Sequence, residues 1–244
     1  MAQMAHEAGT TTIVATPHMA ARYPTAPSAV TEGVARLEPE LAAAGIPLAV
    51  VPGGEIAVDF LEGMSDADLR AAALGGGGRW VLIEMPFRGW PLRLPDILRG
   101  LEMMGMGAVI AHPERAETVQ RAPHRMHELV GLGALVQITA GSITGEHGAL
   151  ARRTSEAMLR DGTVHFIASD GHSAGWRAPV LGDAVDEAGR ILGTPPEELS
   201  WMVDEGPRLV IQGCAIRPPR LAPSRKPRGD ARPAPSVTRR SPRK

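Results

Sequence analysis

Six His, Asp and Glu residues of this chain stand where short apolar runs end. Asp170 and His172 follow His165-Phe166-Ile167-Ala168-Ser169, and His18 follows Thr12-Ile13-Val14-Ala15-Thr16. Glu55 follows Leu48-Ala49-Val50-Val51, Glu84 follows Trp80-Val81-Leu82-Ile83, and His112 follows Ala108-Val109-Ile110-Ala111. Every donor is imidazole or carboxylate and none is thiolate, a mix that suits Mn²⁺, Zn²⁺ or Fe rather than sulfur-bound structural zinc. Grouped ions of this kind, with a carboxylate such as Glu84 between them, activate water at neutral pH and neutralise the oxygens of a phosphate in transit. Arg115 lies three residues after His112, and Arg177 five after His172. Their guanidinium forks match the oxygens of a phosphate.

Taken singly, these residues have plainer readings. His18 could be a core or capping histidine, Glu55 could cap the segment behind its two glycines, and both arginines could make surface ion pairs. Glu84 lies in an apolar stretch, where an unpaired carboxylate is costly, so a metal or other cation is its favoured partner. His165 is expected to be a packed, hydrogen-bonded strand residue. His6, His124, His127 and His147 read as solvent-facing, with a place near the rim of a site left open for His147. Tyr23, the single tyrosine, lies in the loop after His18 and either lines an entrance or packs.

The runs that carry these residues alternate with helical patterns. Strands are expected over 10–16, 47–51, 80–84, 107–111, 134–138 and 164–169. A helix ends at Gly9, and another spans 27–44, where Val30, Val34, Leu37 and Leu41 recur at helical spacing before Gly45. Residues 59–74 read as short helix and loop. Further helices are expected over 94–104, 121–131, 148–160 and near 180–192, 196–203 and 205–212. Strand–helix alternation with short loops gives an α/β class with a parallel sheet wound right-handedly. In barrels of that kind, chemistry sits at the carboxyl ends of the strands. Six strands leave a parallel barrel with an open edge. One β-strand and part of a helix are therefore expected to be absent relative to a complete fold.

The 244 residues carry a formal net charge of −1, which hides an asymmetry. From Arg217 to Lys244 there are ten Lys or Arg and one acid, Asp230. That stretch is rich in Pro and Ser and poor in large apolar residues, so a disordered basic tail over 215–244 is expected behind a single domain over 1–214. No apolar run reaches about 18 residues, so no membrane span is expected. The amino terminus lacks the charge and apolar pattern of a signal peptide. A single cysteine, Cys214, excludes an intramolecular disulfide and suits a reducing cytoplasm. No specific nucleic-acid partner is expected, and an oligomer remains open.

Several segments, in this order and spacing, carry a resemblance. They are Thr16-Pro17-His18, Gly54-Glu55-Ile56, Leu82-Ile83-Glu84-Met85-Pro86, Ala111-His112-Pro113-Glu114-Arg115, Gln137-Ile138-Thr139-Ala140-Gly141-Ser142 and Val164 to Ser173. The chain resembles the PHP-type tyrosine phosphatases of bacterial capsule and exopolysaccharide operons, the CpsB/CapC family, over about residues 1–212. The resemblance implies a distorted, TIM-like (β/α)7 barrel, here apparently without its first strand, and a manganese site of two or three ions. It implies hydrolysis of phosphotyrosine on a partner protein, a bacterial tyrosine kinase of polysaccharide export, in the cytoplasm. By matching motifs, His18, Glu55, Glu84, His112, Asp170 and His172 would be metal ligands, and Arg115 and Arg177 would bind the substrate phosphate. Metal-activated water would be the nucleophile. Complete members open with Asp-x-His-x-His and a further Asp; with that segment absent, incomplete metal loading is expected. Two other readings stand beside this one. The chain could be a PHP phosphoesterase on a small ester of the histidinol-phosphate type, or a catalytically impaired barrel that only binds a partner.

Cys214 and Arg220 also fit the Cys-x5-Arg string of cysteine-based tyrosine phosphatases. That loop needs successive backbone N–H groups around phosphate at a helix start. Pro218 and Pro219 remove two of those donors, so the match is read as coincidence.

Overall fold

The computed structural model describes residues 1–216. Residues 217–244 of the tail expected to be disordered, with Pro218, Pro219 and Arg220, lie outside the described residues. The chain forms a mixed α/β structure dominated by parallel strands. Its strands are β1 (Thr12–Ala15), β2 (His18–Ala20), β3 (Tyr23–Pro24), β4 (Ala49–Pro52), β5 (Glu55–Ala57), β6 (Trp80–Glu84), β7 (Gly107–Ala111), β8 (Leu135–Thr139) and β9 (Phe166–Ala168). Seven of them form one sheet in the order β3-β2-β5-β6-β7-β8-β9, and β1 and β4 pair apart from it. All pairings are parallel except β2 with β3.

This corrects the expectation of six strands. The first two expected strands, 10–16 and 47–51, appear as β1 and β4, and after a break each run resumes as a further short strand beyond the expected bounds, β2 and β5; β3 is also additional. Pro17 has no N–H to give a ladder, and Gly53-Gly54 stands at the matching place on the neighbouring strand. A Cβ on Gly54 would lie 2.4 Å from Met19 Cε, so this turn packs directly on a buried core side chain. The expected helix over 121–131 is also broken. Arg121 instead ends a helix that begins earlier, Glu117–Arg121; Pro123 opens a single 3₁₀ turn, and the rest is Met126–Gly131.

The sheet is apolar on both faces, as a covered parallel sheet must be. Alternate residues sort to opposite sides. Val81, Ile83, Ala108, Ile110, Val136 and Ile138 join the larger core beneath helices Leu94–Met103, Met126–Gly131, Gly148–Arg160 and Gly182–Leu192. Trp80, Leu82, Val109, Leu135 and Phe166 form the smaller core, closed by Leu74 and by Val210 of helix Gly206–Ile211. No helix among the described residues is long and apolar enough to cross a membrane.

His165 behaves as its place ahead of β9 suggests. It is buried, and its Nδ1 accepts the Val136 N–H at 3.0 Å. Burial pushes the imidazole down from 6.5 to about 4. The unfolded chain takes up the proton near 6.5, whereas the folded protein does so only near 4. Stability is therefore full above that window and falls as pH drops through it, by about 3 kcal/mol in total. Urea unfolding of the chelated protein at several pH values should show this slope, and His165→Asn should lose that part of it. Equal slopes in the two proteins would show that folding does not displace the titration of His165.

Candidate metal centre and its arginine pair

The strand register assembles the centre. β1 and β4 run side by side as Thr12↔Ala49 to Ala15↔Pro52; after the Pro17 and Gly53-Gly54 breaks, β2 and β5 resume with His18↔Glu55 as their first pair. Ala57 then pairs with Glu84, Glu84 with Ala111, and Ala111 with Gln137. His112 follows immediately, its N–H given to the Gln137 carbonyl at 2.8 Å. Thr139 pairs with Ala168, two residues before Asp170. The six candidate donors come from neighbouring strands: His18 and Glu55 open β2 and β5, while Glu84, His112, Asp170 and His172 stand at or just past the carboxyl ends of β6, β7 and β9.

Four of them form a compact group. Glu55 Oε1 is 2.8 Å from His112 Nε2 and 3.6 Å from His18 Nδ1. Glu84 lies 3.7 Å from His18 Nδ1 and 3.8 Å from His112 Nε2. One donor atom each from His18, Glu55 and Glu84 lies within 4.8 Å of the others. Burial pushes Glu55 up, but the hydrogen bond and charge of His112, with His18 behind, outweigh it and leave the carboxyl below its ordinary range. Glu84 moves the other way, raised by burial and then by the charge of Glu55. Two carboxylates thus share a confined space with two imidazoles.

The other two donors meet the arginines. Arg115 Nη1 donates to Asp170 Oδ2 at 2.9 Å, and Arg177 Nη2 donates to the same oxygen. His172 Nδ1 is 2.9 Å from the Asp170 carbonyl oxygen, which assigns the ring proton to Nδ1; Nε2 then accepts from Arg177 Nη1 at 3.2 Å. That Nε2 lone pair, here taken by Arg177, is the one a metal would use. The His18 and His172 rings, 6.4 Å apart, join the two groups. Burial and then the neighbouring Arg115 charge push the Arg177 guanidinium down.

The backbone marks the same place. Among the described residues, His112, Asp170 and Arg177 are the non-glycine residues with positive φ, at 32°, 49° and 57°. Left-handed backbone is costly for such side chains and persists where the surroundings enforce it, most often at functional sites.

Residues 1–199 match the family described as "Capsular polysaccharide synthesis, CpsB/CapC". The chain belongs to this family. It is 33% identical over 229 residues to tyrosine-protein phosphatase YwqE of Bacillus subtilis (strain 168), covering 93% of this chain and 89% of that one. It is 32% identical over 174 residues to the putative tyrosine-protein phosphatase CapC of Staphylococcus aureus, covering 70% and 67% of the two chains. Among solved structures it matches, with a TM-score of 0.79 and 30% identity, a chain from work describing YwqE from Bacillus subtilis and CpsB from Streptococcus pneumoniae as unique metal-dependent tyrosine phosphatases. That match covers 93% of this chain and 90% of the other.

Two residues of this CpsB/CapC chain take places that sequence reasoning did not assign. Glu114 is fully buried, and its Oε1 accepts the Thr139 N–H at 3.0 Å. It ties the turn Pro113–Arg115 to the end of β8 and so holds Arg115 in place. Burial pushes its carboxyl up, against the opposing pull of His112. His147, read as solvent-facing, is half-buried and lines a cleft beside Arg177. Burial, then the charges of Arg115, Arg177, His112 and His172, push it down to about 4. His6 is half-buried, and His124 and His127 are exposed. Tyr23 is half-exposed and stacks on His18 with ring centroids 5.9 Å apart. Phe87 lies parallel to His112 at 6.3 Å and beneath the Arg115 guanidinium at 5.2 Å.

Proposed function

We propose that this chain is a metal-dependent protein-tyrosine phosphatase acting in the regulation of capsular or exopolysaccharide synthesis, on a phosphorylated partner such as a tyrosine kinase of polysaccharide export. The observation that carries the reading is one carboxylate, Asp170, shared by two guanidiniums and standing beside a four-donor His/Glu group, in a chain whose relatives are named tyrosine phosphatases. Residues 1–214 would form the catalytic domain, built as a distorted (β/α)7 barrel.

The donor set fits divalent ions. Glu55 and Glu84 stand close together with no Lys or Arg ion-paired to either among the described residues, and Glu84 is pushed up first by burial and then by the charge of Glu55. His18, Glu55, Glu84 and His112 would hold one side of the centre, and Asp170 and His172 the other. The oxygen and nitrogen donors suit Mn²⁺, whose bound form would supply Lewis-acid charge and activated water.

The chain's own residues do the rest. Asp170 neutralises one of two guanidiniums, so Arg115 and Arg177 together keep a positive excess for a phosphate dianion. Glu114 fixes one arginine, and the left-handed backbone at residue 177 turns the other inward, so little reorganisation is needed when charge builds on the phosphoryl oxygens. The cover over the Arg177 side chain limits water there and strengthens its contacts.

Hydrolysis of an aryl phosphate with and without added Mn²⁺ tests this reading, and turnover that survives chelation defeats it. Comparing a phosphotyrosine peptide with histidinol phosphate separates the protein phosphatase from a small-ester enzyme. Cys214→Ser should leave kcat within about twofold of wild type. The Cys214 carbonyl accepts Trp80 Nε1–H at 2.8 Å, which ties the cysteine to the start of β6. Glu84 is at the other end of that strand, about 13 Å away. A dead Cys214→Ser protein with intact metal content would refute the metal mechanism.

A further inference from the structure

A cleft of about 220 Å³ opens beside Arg177, bounded on one side by Trp176 and Val180 and on the other by Gly141 and His147. Three observations give it a direction. Arg177 lines it with a side chain only 9% exposed, whose Nε has no partner. Trp176, the next residue back, is 69% exposed, a large ring left in water by a chain with few aromatics. Its backbone is held in place: Ser173 Oγ–H donates to the Trp176 carbonyl at 2.6 Å, and the Trp176 N–H donates to Ser173 Oγ at 2.9 Å. The ring stands edge-on to His172 at 6.2 Å, with the Arg177 guanidinium 5.4 Å from its centroid.

The opposite wall is equally specific. A Cβ at position 141 would come 2.9 Å from His147 Nε2, so glycine there lets the imidazole lie against helix Ala140–Thr144 and leave the space open. The exposed acids Glu146 and Asp183 also line the cleft. They disfavour an anion inside it and leave the guanidinium end as the place for one.

We propose that this cleft receives the aryl ring of the phosphate ester, and that Trp176 is the side chain that selects aryl over alkyl esters by stacking. The inference rests on the phosphatase reading of the same site. A phosphate held by Arg177 has its ester oxygen next to Trp176. A flat ring attached there finds an indole on one side and an imidazole on the other, and the cleft has room for it. An alkyl ester reaches the same arginine and gains no such contact.

The test compares phenyl phosphate with ethyl phosphate, on wild type and on Trp176→Ala and Trp176→Phe, with Mn²⁺ present. The leaving groups differ in intrinsic reactivity, so the change in the kcat/KM ratio between proteins is what is read. Trp176→Ala should lower the aryl-to-alkyl ratio about fivefold, chiefly through a higher KM for phenyl phosphate, and Trp176→Phe should recover most of it. A binding measurement makes the same comparison without turnover. The Kd of phenylphosphonate should weaken about fivefold in Trp176→Ala, and that of methylphosphonate by much less. Equal losses for both esters, or an unaltered ratio, overturn the subsite. A wild-type protein that hydrolyses neither ester overturns the phosphatase reading instead, and the two phosphonates then still decide whether a ring binds beside Trp176.

Discussion

Glu84→Gln is expected to lower turnover of an aryl phosphate about a thousandfold, the equivalent of roughly 4 kcal/mol of transition-state stabilisation, while the stability of the metal-free protein holds or rises. The two halves of this expectation share one cause. Glu84 is raised by burial and by the charge of Glu55, so the metal-free fold bears a like-charge contact there. Replacing the carboxylate with an amide of the same shape relieves that contact and removes a metal donor. Were Glu84 a structural ion-pair partner of His18 and His112, the substitution would destabilise the fold. Thermal unfolding with a chelator, Mn²⁺ titration calorimetry and turnover measured on one preparation separate the cases. A fall in metal-free Tm together with unchanged Mn²⁺ binding would remove Glu84 from the centre.

The parts of this arrangement that local chemistry controls were readable from residue order. Strands β6 and β7 agree with the expected bounds because each is a continuous apolar run, ended by Glu84 in one case and by His112-Pro113 in the other. Helix Gly148–Arg160 agrees with the expected bounds, and its buried face carries Ala151, Thr154, Ser155, Met158 and Leu159 at helical spacing. The donors at strand ends were visible for the same reason, since a polar residue that closes a buried run has few places to go. The broken strands were not visible, because a ladder that stops and resumes in the same register leaves no periodicity to detect. The pairing of Tyr23-Pro24 with β2 depends on a neighbour rather than on its own composition.

Tertiary packing hid the rest. Nothing local says that Glu114 is buried; that follows from the turn folding back on Thr139. The inward position of His147 depends on Gly141, six residues earlier, having no side chain to displace it. The shared use of Asp170 by Arg115 and Arg177 depends on left-handed backbone at Asp170 and Arg177 themselves. For an arginine, unlike an aspartate, that conformation is a property of the assembled site rather than a local preference.

Arg177→Gly should lower kcat/KM on an aryl phosphate by about a hundredfold to a thousandfold, with metal binding intact. Glycine is the informative replacement, because residue 177 has a φ of 57°. Alanine would lose the guanidinium and keep the backbone strain; glycine loses the guanidinium and relieves it. A fold at least as stable as wild type then assigns the loss of activity to the side chain. The same substitution takes one of two guanidiniums off Asp170 and one hydrogen bond off His172 Nε2. Mn²⁺ affinity should therefore hold or rise, opposite in sign to the Glu84→Gln result, and inhibition by inorganic phosphate should weaken. Arg177→Lys should recover only a small part of the activity, because an ammonium keeps the charge without the planar fork that meets two phosphoryl oxygens at once. If Arg177→Gly instead lost Mn²⁺ and activity together, Arg177 would be serving the metal ligands' geometry, and the phosphate clamp would have to be sought in Arg115 alone.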